Sequence, residues 1–264
     1  MSAARLLRLV GRVAHEALLA LVVIFMVTPT VIVVLLSFSG DKFIRFPPER
    51  WGLRQYATLA TSDDWLDPLG RSLALGVAAA LLAVLVGFPA VLALYRTAAP
   101  GRQAAQFLGL GPLLAPSVAY AVALYGLFAD LRLLGSFGGL LLVHVTLALP
   151  FVLLITGAAI ARVPRELELA ALSLGASRSR AWRDITLRLL LPAVVASFIF
   201  AFVVSFDEAI VTSFLSGIGF VTLPVAIFSS VRFGVDPVIT AIATLLTAAT
   251  ALLLLIYGLL RRRA

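Results

Sequence analysis

Three features predict an all-α, polytopic membrane fold with six transmembrane helices. They are six long apolar stretches, a hydropathy far above that of a water-soluble domain, and a one-sided distribution of positive charge. The stretches cover residues 17–37, 73–94, 107–129, 138–161, 189–214 and 237–260. Each supplies the roughly 20 apolar residues a spanning helix needs. Of the 264 residues 62% are hydrophobic and mean hydropathy is +1.09, whereas soluble domains are about half apolar. Lipid accepts only helices or closed barrels, because backbone polar groups find no water there. Continuous apolar runs lack the alternation of a barrel strand. The whole chain, 1–264, therefore reads as a single transmembrane domain.

The first stretch follows Arg5, Arg8 and Arg12, with His15 at its entrance. It is too long for a signal-peptide core and lacks a small-residue cleavage site, which predicts an uncleaved first span. The connection 38–72 is long, polar and mixed in charge. Its Trp51, Tyr56 and Trp65 suit either an interfacial aromatic belt or a partner-docking surface. Prolines interrupt spans two (Pro89), three (Pro112, Pro116) and four (Pro150). Each removes a backbone donor, so each marks either an ordinary membrane-helix kink or a bend lining a pathway. His144 in span four has no acidic residue within a helical turn, and is read as a packed, neutral histidine. The segment 215–236 is apolar but broken by Gly217, Gly219, Pro224 and Gly234. Too interrupted to span, it is expected to lie on the bundle and shape an outward cavity.

Net charge is +8, and its distribution is a topology signal. Fourteen basic residues fall in the N-terminal segment, the connection after span two, the segment 162–188 and the C-terminal tail; seven fall on the other side, with seven acids beside them. The positive-inside rule then places both termini and 162–188 in the cytoplasm. The basic excess is accounted for by topology, so no nucleic acid partner is implied. There is no cysteine, hence no disulfide or thiolate metal site. No catalytic set, metal site or phosphate-binding glycine loop is visible, and the chain reads as neither an enzyme nor an ATP binder.

Span five alone contains acids, Asp207 and Glu208. A charge at the bilayer centre costs about 2.5–3.5 kcal/mol even on insertion scales. Neighbouring residues are about 100° apart on a helix, so at least one of the pair turns towards the bundle interior or a cavity. The pair serves either as a substrate-path or gating carboxylate, or as a polar contact between helices or a buried cap at an irregular segment.

The segment 162–188 is a charged island between uncharged runs, with Arg162, Arg165, Arg178, Arg180, Arg183 and Arg188 against Glu166, Glu168 and Asp184. Pro164 suits a helix start, and Glu166 and Glu168 complement the positive end of its dipole. Gly175 ends or bends that helix. Ser177 can cap a second helix carrying Ala181, Trp182 and Ile185. Ala170 and Ala171 leave room for another surface to approach. The island is either a compact plug for a cytoplasmic groove or an amphipathic surface loop.

In spacing, Ala170, Ala171, Gly175, Ile185 and Leu187 resemble the EAA loop of binding-protein-dependent ABC importer permeases. Leu169 stands at the usual glutamate, with Glu168 one residue early, and Arg188 at the usual proline; Pro192 matches a second proline beyond. HVTLALPFV (144–152), SFDEAIVTSFLSG (205–217) and TLPVAIFSSVRFGVDP (222–237) are similar to the spermidine/putrescine-type branch. Ser117 replaces an acid that many members carry after the proline. The resemblance implies a type I importer permease fold and alternating access for a small organic solute, possibly a polyamine. It implies a second permease subunit, a cytoplasmic ATPase dimer and an external solute-binding protein. ATP and magnesium would belong to the ATPase; this chain would bind no cofactor. ATPase coupling would fall to Glu168, Ala170, Ala171, Gly175, Ile185 and Leu187. The substrate path would comprise Asp207 and Glu208, with Ser117 and Tyr120 from span three. The competing reading is a secondary transporter using Asp207 or Glu208 as a proton or ion relay.

Overall fold

The computed structural model describes residues 3–96, 101–217 and 219–261, with side chains outside 3–10, 102, 253–254 and 256–261. The side chains of Arg5, Arg8, Arg102 and Arg261, and all of Arg262 and Arg263, lie outside the described residues. The chain is helical almost throughout. In order the helices are α1 (Ala3–Ser37), α2 (Arg54–Thr61), α3 (Asp63–Arg96), α4 (Arg102–Gly109), α5 (Gly111–Leu114), α6 (Ser117–Asp130), α7 (Phe137–Ile160), α8 (Glu166–Ser173), α9 (Arg178–Ala181), α10 (Arg188–Phe206), α11 (Ile210–Leu215), α12 (Leu223–Phe233) and α13 (Val238–Arg261). A π-helical turn, Trp182–Leu187, joins α9 to α10. The backbone divides into two compact units, 1–66 with 229–264, and 67–228.

In the first unit, α13 packs against α1 and α2. The connection after α1 is folded. Ser39 and Trp51 form an antiparallel bridge, and buried Gln55 donates to the carbonyls of Ser39 (3.1 Å) and Asp41 (2.9 Å). Of the three aromatics expected at a membrane interface, only Trp51 is exposed. Tyr56 is half-buried, its hydroxyl 2.8 Å from Ser37 Oγ. Trp65 is buried and donates to Asp236 Oδ2 at 3.2 Å. Two of the rings thus bury apolar area inside the unit and satisfy their polar atoms there.

In the second unit, α10 lies along α7, and α11 packs on α6. Small residues allow the close approach: Ala80, Ala83, Ala148, Val152 and Ala201 form one buried layer. Leu75, Ala121, Phe128, Leu140, Val143, Val211 and Leu215 form another. A third gathers Phe88, Val91, Ile160 and Leu190.

Four helical segments, 11–37, 63–96, 137–160 and 178–206, are long and apolar enough to cross a membrane. The sixth apolar stretch forms the 24-residue α13. Two expected spans are not single helices. The third, expected over 107–129, is divided among α4, α5 and α6. Pro112 begins α5 and Pro116 stands at the N-cap of α6, each lacking the N–H that would continue the preceding turn. The fifth, expected over 189–214, starts earlier, runs without a break from Arg178 to Phe206, and is interrupted at 207–209. Pro89 and Pro150, by contrast, sit inside unbroken helices.

The interrupted segment is divided, with its part through residue 228 in the second unit and 229–236 in the first. Gly135 N donates to Leu215 O at 2.8 Å. Arg71 donates to Gly219 O at 3.2 Å and sits 5.6 Å from the Phe220 ring centre. Leu223 N donates to buried Ser72 Oγ at 2.8 Å. These contacts hold the segment against the start of α3 and satisfy backbone groups that no regular span would leave open.

Candidate functional site

The two acids of the fifth apolar stretch lie in its interruption and do different things. Glu208 reaches its carboxylate forward along the chain, and Oε1 accepts from Val211 N at 2.7 Å. It thereby satisfies an orphan donor in the first turn of α11, where negative charge also meets the positive helix end. Asp207 closes α10 as its C-cap residue and is exposed. No hydrogen bond or ion pair among the described residues reaches its carboxylate.

A buried polar chain spans this break. His144, in α7, is 1% exposed. Its Nδ1 lies 2.7 Å from Ser205 Oγ, before the break, and its Nε2 lies 3.0 Å from Thr212 Oγ1, after it. The Thr212 hydroxyl donates its proton to Glu208 O at 2.9 Å. Each ring nitrogen therefore meets one hydroxyl, one on either side of the break. His144 is packed and fully bonded, as expected for a neutral ring. Its partners lie 61 and 68 residues away in sequence, so no local pattern reveals them.

Tyr120 joins α6 to α7. Its hydroxyl lies 2.7 Å from Thr146 Oγ1, which itself donates to Val143 O. Thr146 follows His144 by two residues, about 3 Å along the helix axis. Tyr120 and the break therefore meet α7 at nearly one level. Ser117 is exposed in the first turn of α6, with no bond to the other three residues.

The segment 162–188 folds as its turn chemistry predicts. Gly175 has φ +87 and ends α8; Gly175 N donates to Leu172 O and Ala176 N to Ala171 O, both at 3.0 Å. Ser177 Oγ caps α9 by accepting from Arg180 N. The six expected coupling residues separate into two sets. Ala170 and Gly175 are exposed and Ala171 half-buried, on a helix with no fully buried residue. Leu167, Leu169 and Leu174 stand out beside them, Leu174 at 90% exposure. Glu168, Ile185 and Leu187 are half-buried. Leu187 packs against the layer of Phe88, Val91, Ile160 and Leu190. The Glu168 carboxylate accepts from buried Thr186 and lies 3.1 Å from Arg96 Nη2. Arg188, at the position where the resemblance leads one to expect proline, keeps a backbone donor, and the helix runs through it unbroken.

Residues 99–264 match the family described as binding-protein-dependent transport system inner membrane component. Over 250 residues the chain is 32% identical to the spermidine/putrescine transport system permease protein PotC of Haemophilus influenzae, covering 94% of this chain and 96% of that protein. It is 33% identical over 247 residues to the putrescine transport system permease protein PotI of Escherichia coli, covering 91% and 88% respectively. The fold is similar to that of a chain in the crystal structure of a bacterial ABC transporter involved in import of the acidic polysaccharide alginate. That likeness has a TM-score of 0.73 at 13% identity, over 99% of this chain and 98% of that one.

Proposed function

Since the chain belongs to the binding-protein-dependent transport system inner membrane components, a transport family rather than a catalytic one, we propose that it conducts a small organic cation of the polyamine class inward. The energy comes from ATP hydrolysed, with magnesium, in a separate cytoplasmic ATPase dimer. A second permease subunit completes the pathway, and an external solute-binding protein delivers the solute. Both termini and 162–188 face the cytoplasm.

The observation that carries the cation reading is Asp207. It is an exposed carboxylate without a partner among the described residues, at a helix break, in a stretch whose one other charge is Glu208. An unpaired charge within a bilayer is costly unless a wet pathway or a cationic ligand meets it. Glu208 is committed to the start of α11, so Asp207 is the member of the pair available to a solute. The relatives named for putrescine and spermidine agree in chemistry, since both solutes carry ammonium groups. On the cytoplasmic side, Ala170, Ala171 and Gly175 with the exposed leucines of α8 form the surface that receives the ATPase.

The test is uptake of labelled putrescine and spermidine into proteoliposomes holding the permease pair and ATPase, with binding protein outside and ATP inside. Uptake that needs both ATP and binding protein is the expected result. Uptake driven by an ion or proton gradient without ATP would instead support the relay reading of Asp207.

A further inference from the structure

Glu168 points away from the exposed face of α8. Its carboxylate joins three pieces of the second unit. It accepts from the hydroxyl of Thr186, which is fully buried within the π-helical turn that opens span five. It also lies 3.1 Å from the guanidinium of Arg96, the last residue of α3. A second strand of the link runs alongside, with Arg165, just before α8, donating to Arg96 O at 3.2 Å.

Arg96 depends on this arrangement. Its side chain is 16% exposed, and its Nη1 and Nη2 atoms are buried without an aligned hydrogen-bond acceptor. Glu168 is its one ion-pair partner among the described residues. Burial strengthens an attraction that water would screen, and an unmatched charge there is strongly unfavourable. The π turn on the other side is a place where the helix is wound more loosely than its neighbours, a feature common at functional sites. Directly after Thr186, Leu187 packs into the layer shared by α3, α7 and α10.

We propose that the Arg96–Glu168–Thr186 cluster is the link that passes displacement of α8 to spans two and five, with Glu168 as its positioning residue. The proposal rests on the reading of α8 as the ATPase-docking helix. Glu168 sits one residue before the position where the family pattern places its glutamate. In this chain that carboxylate faces inward, away from the exposed docking surface. A push on α8 then moves the end of α3 and the π turn together.

The test uses the complete reconstituted complex, comparing uptake per ATP hydrolysed. The double variant R96Q/E168Q removes both charges at once and so leaves no buried ion unmatched. It is expected to assemble and hydrolyse ATP, while uptake per ATP falls about tenfold, the scale of one charge-assisted hydrogen bond. The exchange R96E/E168R is expected to recover most of the loss. Unchanged uptake per ATP in R96Q/E168Q overturns the proposal, as does loss of the ATPase from the complex, which would make the cluster a support for docking alone. If R96Q/E168Q fails to insert, Thr186→Val keeps both charges and removes the hydroxyl, and normal coupling there overturns the proposal equally. Ala170→Arg, on the exposed face of α8, separates the two layers. If it neither displaces the ATPase nor impairs coupling, the docking reading fails, whatever the double variant does.

Discussion

His144 Nε2 and Thr212 Oγ1 lie 3.0 Å apart across the interruption of span five. With Ser205 on the other ring nitrogen, one imidazole fastens the two helical pieces on either side of Asp207 to α7. Replacing it by leucine leaves two buried hydroxyls short of a partner, and one such group costs about 1–3 kcal/mol. His144→Leu is therefore expected to lower the unfolding midpoint in detergent. The triple variant H144L/S205A/T212V, with all three polar groups gone, should regain part of the loss. A single variant as stable as the parent would remove the fastening role.

The two adjacent acids should respond differently to substitution. Glu208→Ala takes away a side-chain acceptor at the start of α11, and loss of such a cap typically costs about 0.5–2 kcal/mol. It should destabilise the protein. Asp207→Asn disturbs no bond, so stability should hold while cation uptake falls roughly ten- to a hundredfold, the equivalent of about 1.5–3 kcal/mol. Solute binding to the external protein should not change. Normal uptake by the Asp207 variant would exclude its carboxylate from the solute path.

Much of this was legible in the sequence because membrane burial is written in composition. The apolar stretches mark the spans, and Gly175 and Ser177 mark a turn and a cap through purely local chemistry. Continuity was less legible. Hydropathy measures immersion, and Pro112 and Pro116 break a helix while Pro89 and Pro150 do not, because the outcome depends on what neighbouring groups satisfy the freed carbonyls. Directions across the bundle were not legible at all. The inward turn of Glu168 depends on Arg96, 72 positions earlier, and on Thr186. The split roles of Asp207 and Glu208 depend on where span five breaks. Trp65 reads as an interfacial ring until Asp236, 171 residues away, is found beside it.

At the surface proposed to receive the ATPase, Gly175 and Ala170 test different properties. The space around a Cβ at Gly175 is open, yet φ is +87, a conformation that costs a residue with a side chain about 1–2 kcal/mol. Gly175→Ala should loosen the turn modestly. Gly175→Trp adds bulk to an exposed surface and should impair coupling further. Ala170→Arg keeps the backbone and places charge among exposed leucines, so membrane insertion should be normal and recovery of the ATPase with the permease reduced. Full recovery and full uptake in both Gly175→Trp and Ala170→Arg would exclude this face from docking.

Orientation can be tested with single cysteines, because the chain has none of its own. Fourteen basic residues against seven predict 162–188 inside and the connection after α1 outside. Thr58 and Ser179 are suitable positions. Both are exposed and each is within a short helix, α2 and α9 respectively. Neither side chain caps a helix, whereas Ser177 accepts from Arg180 N and would lose that bond on replacement. A membrane-impermeant thiol reagent added to intact spheroplasts should label Thr58→Cys at once, and Ser179→Cys only after the membrane is opened. In inverted vesicles the order should reverse. The charge difference is large enough that moving it across would strand most of the arginines on the wrong side. Labelling of Ser179→Cys in intact cells would refute the orientation, and with it the assignment of α8 to a cytoplasmic ATPase.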